Sequence, residues 1–528
     1  MTTSPTTPEM HWSRWGDPAQ AGPLPESART LVDAFLGTSD TPAVAPEEVR
    51  LSDPLDDALV AELAGIVGVD HVLVDRETRL HRTRGKSTPD LLRLRQGDGL
   101  DSPDAVVRPG THDEVAAVIS WCVRRQVALV PFGGGTSVVG GLVASREGYA
   151  GVLSLDLVRL DKLLEVDHES MTAVLEPGLR GPQAESLLAA EGLTLGHFPQ
   201  SFEYASIGGF AVTRSSGQSS AGYGRFDALV VGLTVATPQG TLELGSSPAN
   251  AAGPDLRELV MGSEGAFGVV TAVRVRVRRT PAVKVYDAWQ FVSFAEGATA
   301  MRTLAQAGLL PTVIRLSDEN ETAINLARPA EIGAESAGGC LLIAGYEGTQ
   351  ESVDARRAAC TGLLESLGGT DLGEGGGQAW AEGRFHGPYL RDSLLDVGVL
   401  VETLETVTFW LNLDHVYQAV KQSLVESLGE ATMVLCHISH VYETGASLYF
   451  TVATRQSDDP LAQWLAAKAA VSDVIVRSGA SITHHHAIGR DHKPWLAQEI
   501  GPVGVMILRS VKERLDPTNI LNPGVLIP

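Results

Sequence analysis

The stretch "PFGGGTSVVGG" at residues 131–141 constrains this chain more than any other. It follows the apolar run "VALV" and sets five glycines beside Thr136 and Ser137. Glycine lets successive backbone N–H groups turn toward one anion without side-chain interference, and neighbouring hydroxyls add donors. A diphosphate is therefore a natural ligand; a tight turn in a small β-structure is the plain alternative. The loop does not end in Gly-Lys-Ser/Thr, so it is not a triphosphate-binding P-loop, and it lacks the G-x-G-x-x-G spacing of the dinucleotide fold.

Two later stretches share this composition. "QSFEYASIGGFAVTRSSG" (200–217) presents Ser206, Gly208, Gly209, Thr213, Arg214 and Ser216, and "MGSEGAFGVVT" (261–271) places Gly262, Gly265 and Gly268 around Glu264. Both favour backbone contact with a large polar ligand. Between 102 and 284, β-branched runs such as "VALVPF", "GVLSLDL" and "VTAVRVRVRRTP" alternate with helical segments such as "HDEVAAVISWCVRRQ". This predicts an α+β domain with several short sheets, the helix near 113–126 capped by Thr111 or Asp113.

At 528 residues and 44% apolar content the chain is too long for one ordinary domain. Residues 1–101 read as an N-terminal extension and helical region, with Trp12 and Trp15 packing on a later domain and "RETRLHRTRGKSTPDLLRLRQGDG" as a polar stretch. Residues 285–505 read as a second, cap-like α/β domain, and 506–528 as a helix stopped by Asp516 and Pro517 with an extended tail. The net charge of -23 argues against nucleic-acid binding. Four scattered cysteines suggest neither a disulfide framework nor a zinc ribbon. The first residues lack a signal-peptide pattern, and no run approaches the roughly 20 apolar residues of a membrane span. A cytoplasmic protein is expected, with contact at a membrane surface left open.

The second half carries the candidate chemistry. In "GASLYFTV", alternation puts Leu448, Phe450 and Val452 on one face and Ser447, Tyr449 and Thr451 on the other, so Tyr449 faces a cavity or solvent. "ASITHHH" reads as a short strand with His484 and His486 on one face and His485 on the other. These histidines admit three readings: a metal site, for which no carboxylate or cysteine pattern completes the shell; a structural polar loop; or a proton-handling site. No metal is assigned, and His492 reads as an ordinary polar residue. Arg391 in "PYLRD" can clasp a phosphate or pair with Asp392, and Arg315 in "VIRLSD" is a second candidate.

Together with "VRPGTHDEV" upstream, the three glycine-rich segments, spaced by about 75 and 60 residues, resemble the vanillyl-alcohol-oxidase type of FAD-binding domain. The resemblance implies a two-part FAD-binding domain followed by an α/β cap that carries the substrate site. Pro131 and Phe132 would lead into a loop where Gly133, Gly134, Gly135, Thr136 and Ser137 hold the diphosphate. Ser201, Ser206, Gly208, Gly209, Thr213, Arg214, Ser215, Ser216, Glu264, Gly265, Gly268 and Val269 would lie along the cofactor. No His or Cys falls within the first loop, which implies non-covalent FAD.

"VIRLSDENET", "PYLRD", "CHISHVYETGASLYF", "ITHHHAIGRDHKPWL" and "MILRSVKERLDPTNI" together resemble the alkyldihydroxyacetonephosphate synthases, flavoenzymes that make ether-lipid bonds. This resemblance runs from about residue 65 to the end. It implies exchange of the acyl chain of acyl-dihydroxyacetone phosphate for a fatty alcohol, redox-neutral, with substrate held as an adduct at flavin N5. Tyr449, His484, His485 and His486 would move protons, Arg391 and Arg315 would meet the phosphate, an apolar tunnel would take the lipid chains, and the protein would be a homodimer. The "LNPG" ending is similar to FAD-dependent D-2-hydroxy-acid dehydrogenases, a second reading. A flavin-free binding or scaffold protein of the same fold is a third and predicts a colourless preparation.

Overall fold

The run Val127–Phe132 forms a strand whose first four residues are all buried, as expected for a strand covered on both faces. In the computed structural model, which describes residues 8–143, 145–324 and 338–528, it pairs in parallel with Gly151–Asp156. That strand pairs with Ala105–Val107, and Val72–Leu73 completes a four-stranded sheet. Helix His112–Arg125, capped by Thr111 Oγ1 accepting the Glu114 N–H at 3.1 Å, buries Val115, Val118, Ile119 and Cys122 against these strands. A five-stranded antiparallel sheet follows, in the order Gly240–Leu244, Val230–Thr237, Val269–Arg276, Thr172–Leu175, Leu163–Asp167.

The glycine-rich segments sit at element ends. The first leaves Val127–Phe132, the second enters helix Ile207–Thr213, and the third enters Val269–Arg276. Residues 516–522 return to this half. Leu521 bridges Leu129 in parallel, and the Asn522 side-chain amide donates to the carbonyls of Gly141 and Glu264 at 3.0 and 2.7 Å. The preceding helix begins at Lys493 and bends at Gly501 (φ 71), where Pro502 follows.

The other half is one seven-stranded sheet: Thr370–Gly373, Val283–Phe291, Cys340–Gly348, Val313–Ser317, Met433–Ile438, Gly445–Arg455, Val399–Phe409. Leu448, Phe450 and Val452 are wholly buried under helices Phe294–Gln306, Leu413–Leu428 and Pro460–Arg477, as the alternation in "GASLYFTV" requires. Among the described residues no helix is long and apolar enough to cross a membrane.

The polar stretch is buried: Arg79, Arg82, Arg84, Lys86, Asp90 and Arg95 lie inside. Distant carboxylates make this tolerable, Asp156 pairing with Arg82 at 2.9 Å and Asp396 with Arg95 at 2.7 Å. "ASITHHH" is not a strand; Ser481 alone bridges Val407, and the chain then curls around a carboxylate described next.

Candidate active site

Strand register lays out the floor of a cavity of ≈ 450 Å³. His437, Tyr449 and Glu405 stand in one row across three strands; Leu435, Thr451 and Thr403 form the next, and Met433, Ala453 and Val401 the third. Rows on one face are two residues, roughly 7 Å, apart. The floor therefore passes from titratable to apolar within about 13 Å. Every member of these rows except Glu405 lines the cavity. Helix Glu26–Phe35 and its neighbours cover the apolar end with Leu24, Ala28, Leu31 and Val32, and Trp15 also reaches the cavity.

Glu405 shapes the histidine segment. Its carboxylate accepts from Thr483 Oγ1 at 2.5 Å and from the successive backbone N–H groups of His484, His485 and His486 at 2.6, 3.1 and 3.0 Å. In a strand, successive N–H groups point to opposite sides, so three on one anion demand a curled backbone. That is why the expected strand is absent. Burial opposes the charge of Glu405, but the imidazoles of His485, His486 and His484 and the Thr483 hydroxyl hold it well below the usual carboxylate range.

His485 and His486 line the cavity; His484 stands behind them, its Nε2 2.6 Å from Tyr442 Oη and its Nδ1 2.9 Å from His485 Nδ1. His437 stacks on Tyr449 with ring centroids 4.7 Å apart, and His440 stacks on His484 at 4.9 Å while its Nδ1 meets Ser216 Oγ at 3.0 Å. Burial pushes the imidazoles down, to about 4 for His437 and about 3 for His486, and well below the ordinary value for His440 and His484. Burial pushes Tyr449 up to about 12. Burial thus disfavours the charged form of each imidazole and of the phenol, while Glu405 draws His484, His485 and His486 back toward protonation. His440, His484 and His485 bring one ligand atom each within 4.8 Å of the others, but both nitrogens of His484 are already engaged.

At the other side lies the glycine cradle. Among the described residues, the backbone N–H groups of Gly133 to Ser137 donate to no protein acceptor. A Cβ on Gly134 would lie 2.3 Å from the Tyr204 carbonyl oxygen, so the second glycine segment closes directly on the first. A row of free donors without side chains in the way fits a diphosphate. Glu264, at φ 51, joins this cradle to the histidine segment by accepting the N–H groups of Ile488 and Gly489 at 3.2 and 2.6 Å. Burial raises its pKa to about 7.

Of the residues named for cofactor, substrate or proton transfer, all but Arg214 and His484 line this cavity. Arg214 is occupied by Asp227 at 3.1 Å and by Glu258. Arg391 pairs with Asp392 at 2.9 Å and donates to the Lys86 carbonyl at 2.6 Å; Arg315 meets Glu321 at 2.6 Å and His437 Nδ1 at 2.9 Å. Sequence reasoning missed Glu405, Glu321, His437 and His440. The available signals were glutamates within the apolar strand "VLVETLETVTF" and the paired histidines of "CHISH".

The fold and site define a class. Residues 103–245 match the model for the FAD binding domain, and residues 280–526 match that for the C-terminal domain of FAD linked oxidases. This is the two-domain FAD-binding fold of the vanillyl-alcohol-oxidase type, and p-cresol methylhydroxylase shares it at 17% identity with a TM-score of 0.72. Within the class, the chain is 34% identical to the alkyldihydroxyacetonephosphate synthase of Dictyostelium discoideum over 93% of its own length and 84% of the relative's. The Trypanosoma brucei brucei enzyme of that name is 33% identical over 98% of this chain and 92% of the relative. A solved alkyldihydroxyacetonephosphate synthase superposes with a TM-score of 0.85, covering 98% of this chain and 99% of its own at 30% identity. The chain belongs to the alkyldihydroxyacetonephosphate synthase family, and FAD is its cofactor.

Proposed function

We propose that this protein replaces the acyl group of an acyl-dihydroxyacetone phosphate by a fatty alcohol, with FAD held non-covalently. The observation that carries this reading is the floor itself, where the row of Tyr449 and His437 passes through Leu435, Thr451 and Thr403 to the apolar row of Met433, Ala453 and Val401. The bond between the ketone's terminal carbon and the acyl oxygen breaks, and the fatty acid leaves as a carboxylate with the bonding electrons. The alcohol oxygen bonds to the same carbon and loses its proton, so there is no net oxidation. Bound FAD supplies redox-neutral ring chemistry at that carbon.

The chain's own residues manage protons and orientation. His485 or His486, its imidazolium supported by the Glu405 carboxylate, takes the alcohol proton, and Tyr449, protonated throughout the working range, gives a hydrogen bond to the departing carboxylate oxygen. Glu405 holds the two imidazoles at the cavity edge through their backbone. Arg391 and Arg315 face the phosphate-bearing end. The apolar end of the floor, covered by Leu24, Ala28, Leu31 and Val32, is where the lipid chain would lie. Substrates of that kind place the encounter at a membrane surface.

Flavin-loaded protein given palmitoyl-dihydroxyacetone phosphate and labelled hexadecanol should form labelled ether. D-lactate with a dye acceptor should give no reduction. Dye reduction without ether product would overturn the reading in favour of a dehydrogenase.

A further inference from the structure

Three arginines line the cavity, Arg315, Arg384 and Arg391. Two bring no net charge to it, because Arg315 faces Glu321 at 2.6 Å and Arg391 faces Asp392 at 2.9 Å. Arg384 forms no ion pair among the described residues, and its Nε and Nη1 are buried without a hydrogen-bond partner. Its neighbour Gln218, which donates from Nε2 to the Arg384 carbonyl at 3.4 Å, also lines the cavity, and its Oε1 is buried and unpartnered as well. Phe385, Phe198 and Trp380 surround the guanidinium carbon at 4.9, 5.4 and 5.8 Å from their ring centroids. The rings hold its plane and limit water, but they cannot satisfy its N–H groups.

Arg384 is partly exposed, but two of its donors are buried and unmet, which is costly unless something of opposite sign completes them. The completing group must be an anion with several acceptor oxygens. Gln218 follows Ser216 by two residues, which keeps their Cα atoms within about 7 Å, and Ser216 Oγ bonds His440. Arg384, Gln218, Ser216 and His440 all line the one cavity, so the unmet donors open into the space that the imidazole cluster also faces.

We propose that Arg384 and Gln218 form the phosphate subsite of the ketone substrate. Arg384 supplies the uncompensated charge that a phosphate monoester of roughly −2 requires, and the Gln218 amide, donating to the Arg384 carbonyl, holds that segment at the cavity wall. This rests on the reaction proposed above. Arg391 and Arg315, neutralised by their own carboxylates, orient the same end of the substrate.

The test is a titration of flavin-loaded protein with dihydroxyacetone phosphate, followed by calorimetry and by the flavin spectrum. Arg384→Gln should weaken binding about tenfold to a hundredfold, Arg384→Lys should recover part of the loss, and flavin content and the KM for hexadecanol should stay as in the parent. If Arg384→Gln does not fold, Gln218→Leu carries the same expectation at about tenfold. Unchanged binding overturns the subsite, as does a parent that binds no dihydroxyacetone phosphate. Loss of flavin overturns it by assigning Arg384 to the cofactor diphosphate, and weakened inhibition by palmitate alone overturns it by assigning Arg384 to the carboxylate. Because binding is read without turnover, Arg384-dependent binding in a protein that makes no ether would sink the reaction and leave the subsite standing. Ether formation with binding indifferent to Arg384 would do the reverse.

Discussion

The glycine cradle and the histidine segment both present a run of backbone N–H groups on irregular chain, yet they use it in opposite ways. Gly133 to Ser137 leave theirs without a protein acceptor, whereas His484 to His486 give theirs to Glu405. One nest waits for an anion from outside; the other has folded around an anion supplied by the chain. The difference teaches that the first is a binding device and the second a positioning device, since a satisfied nest can no longer take a ligand but fixes the side chains projecting from it.

Removing the internal anion should have the largest effect. Glu405→Ala leaves three buried N–H groups unmet, so we expect a loss of about 3–5 kcal/mol in urea unfolding and a fall in exchange rate of at least about a hundredfold. Bound flavin should survive, and Glu405→Gln, which keeps an acceptor, should fall less. An Ala variant with parental kcat would show that the curl does not position the imidazoles. The converse change, Gly134→Ala, puts a methyl against the Tyr204 carbonyl and should lower flavin affinity about tenfold or more, read from the absorbance that co-purifies.

Glu264 ties the two nests together, and its expected signature is a pH dependence. Its folded pKa is raised to about 7, so its contribution is complete below its ordinary range near 4.5 and is lost as pH rises through 7. Glu264→Gln, which does not titrate, should therefore lose less stability than the parent between pH 5 and pH 8, by up to about 3 kcal/mol. Parallel Tm profiles for the two proteins would contradict this. The smallest effect is expected at Arg214, whose partners lie outside the cavity: Arg214→Gln should change stability by less than about 1 kcal/mol. Flavin loss in that variant would place Arg214 in the cofactor site after all.

The two nests also differ in how far the sequence revealed them. The cradle was legible because its property belongs to glycine, and five of them in eleven positions speak for themselves. The inward face of Tyr449 was legible because alternation is local, and Thr451 beside it lines the cavity as expected; Ser447 is buried instead. The curl of the histidine segment was not legible, since the carboxylate that imposes it stands 79 positions earlier, on strand Val399–Phe409. The burial of Arg82 and Arg95 was hidden for the same reason, their partners Asp156 and Asp396 being brought to them by the fold alone.

The return of residues 516–522 to the cofactor half bears on the order in which this protein can be made. Leu521 extends the first sheet beside Leu129, and Asn522 joins the loop at Gly141 to that at Glu264. A ribosome makes these residues only after every other segment that they join. The flavin pocket, although its glycine-rich segments all lie before residue 272, therefore stays open at one seam until residue 522 has been made.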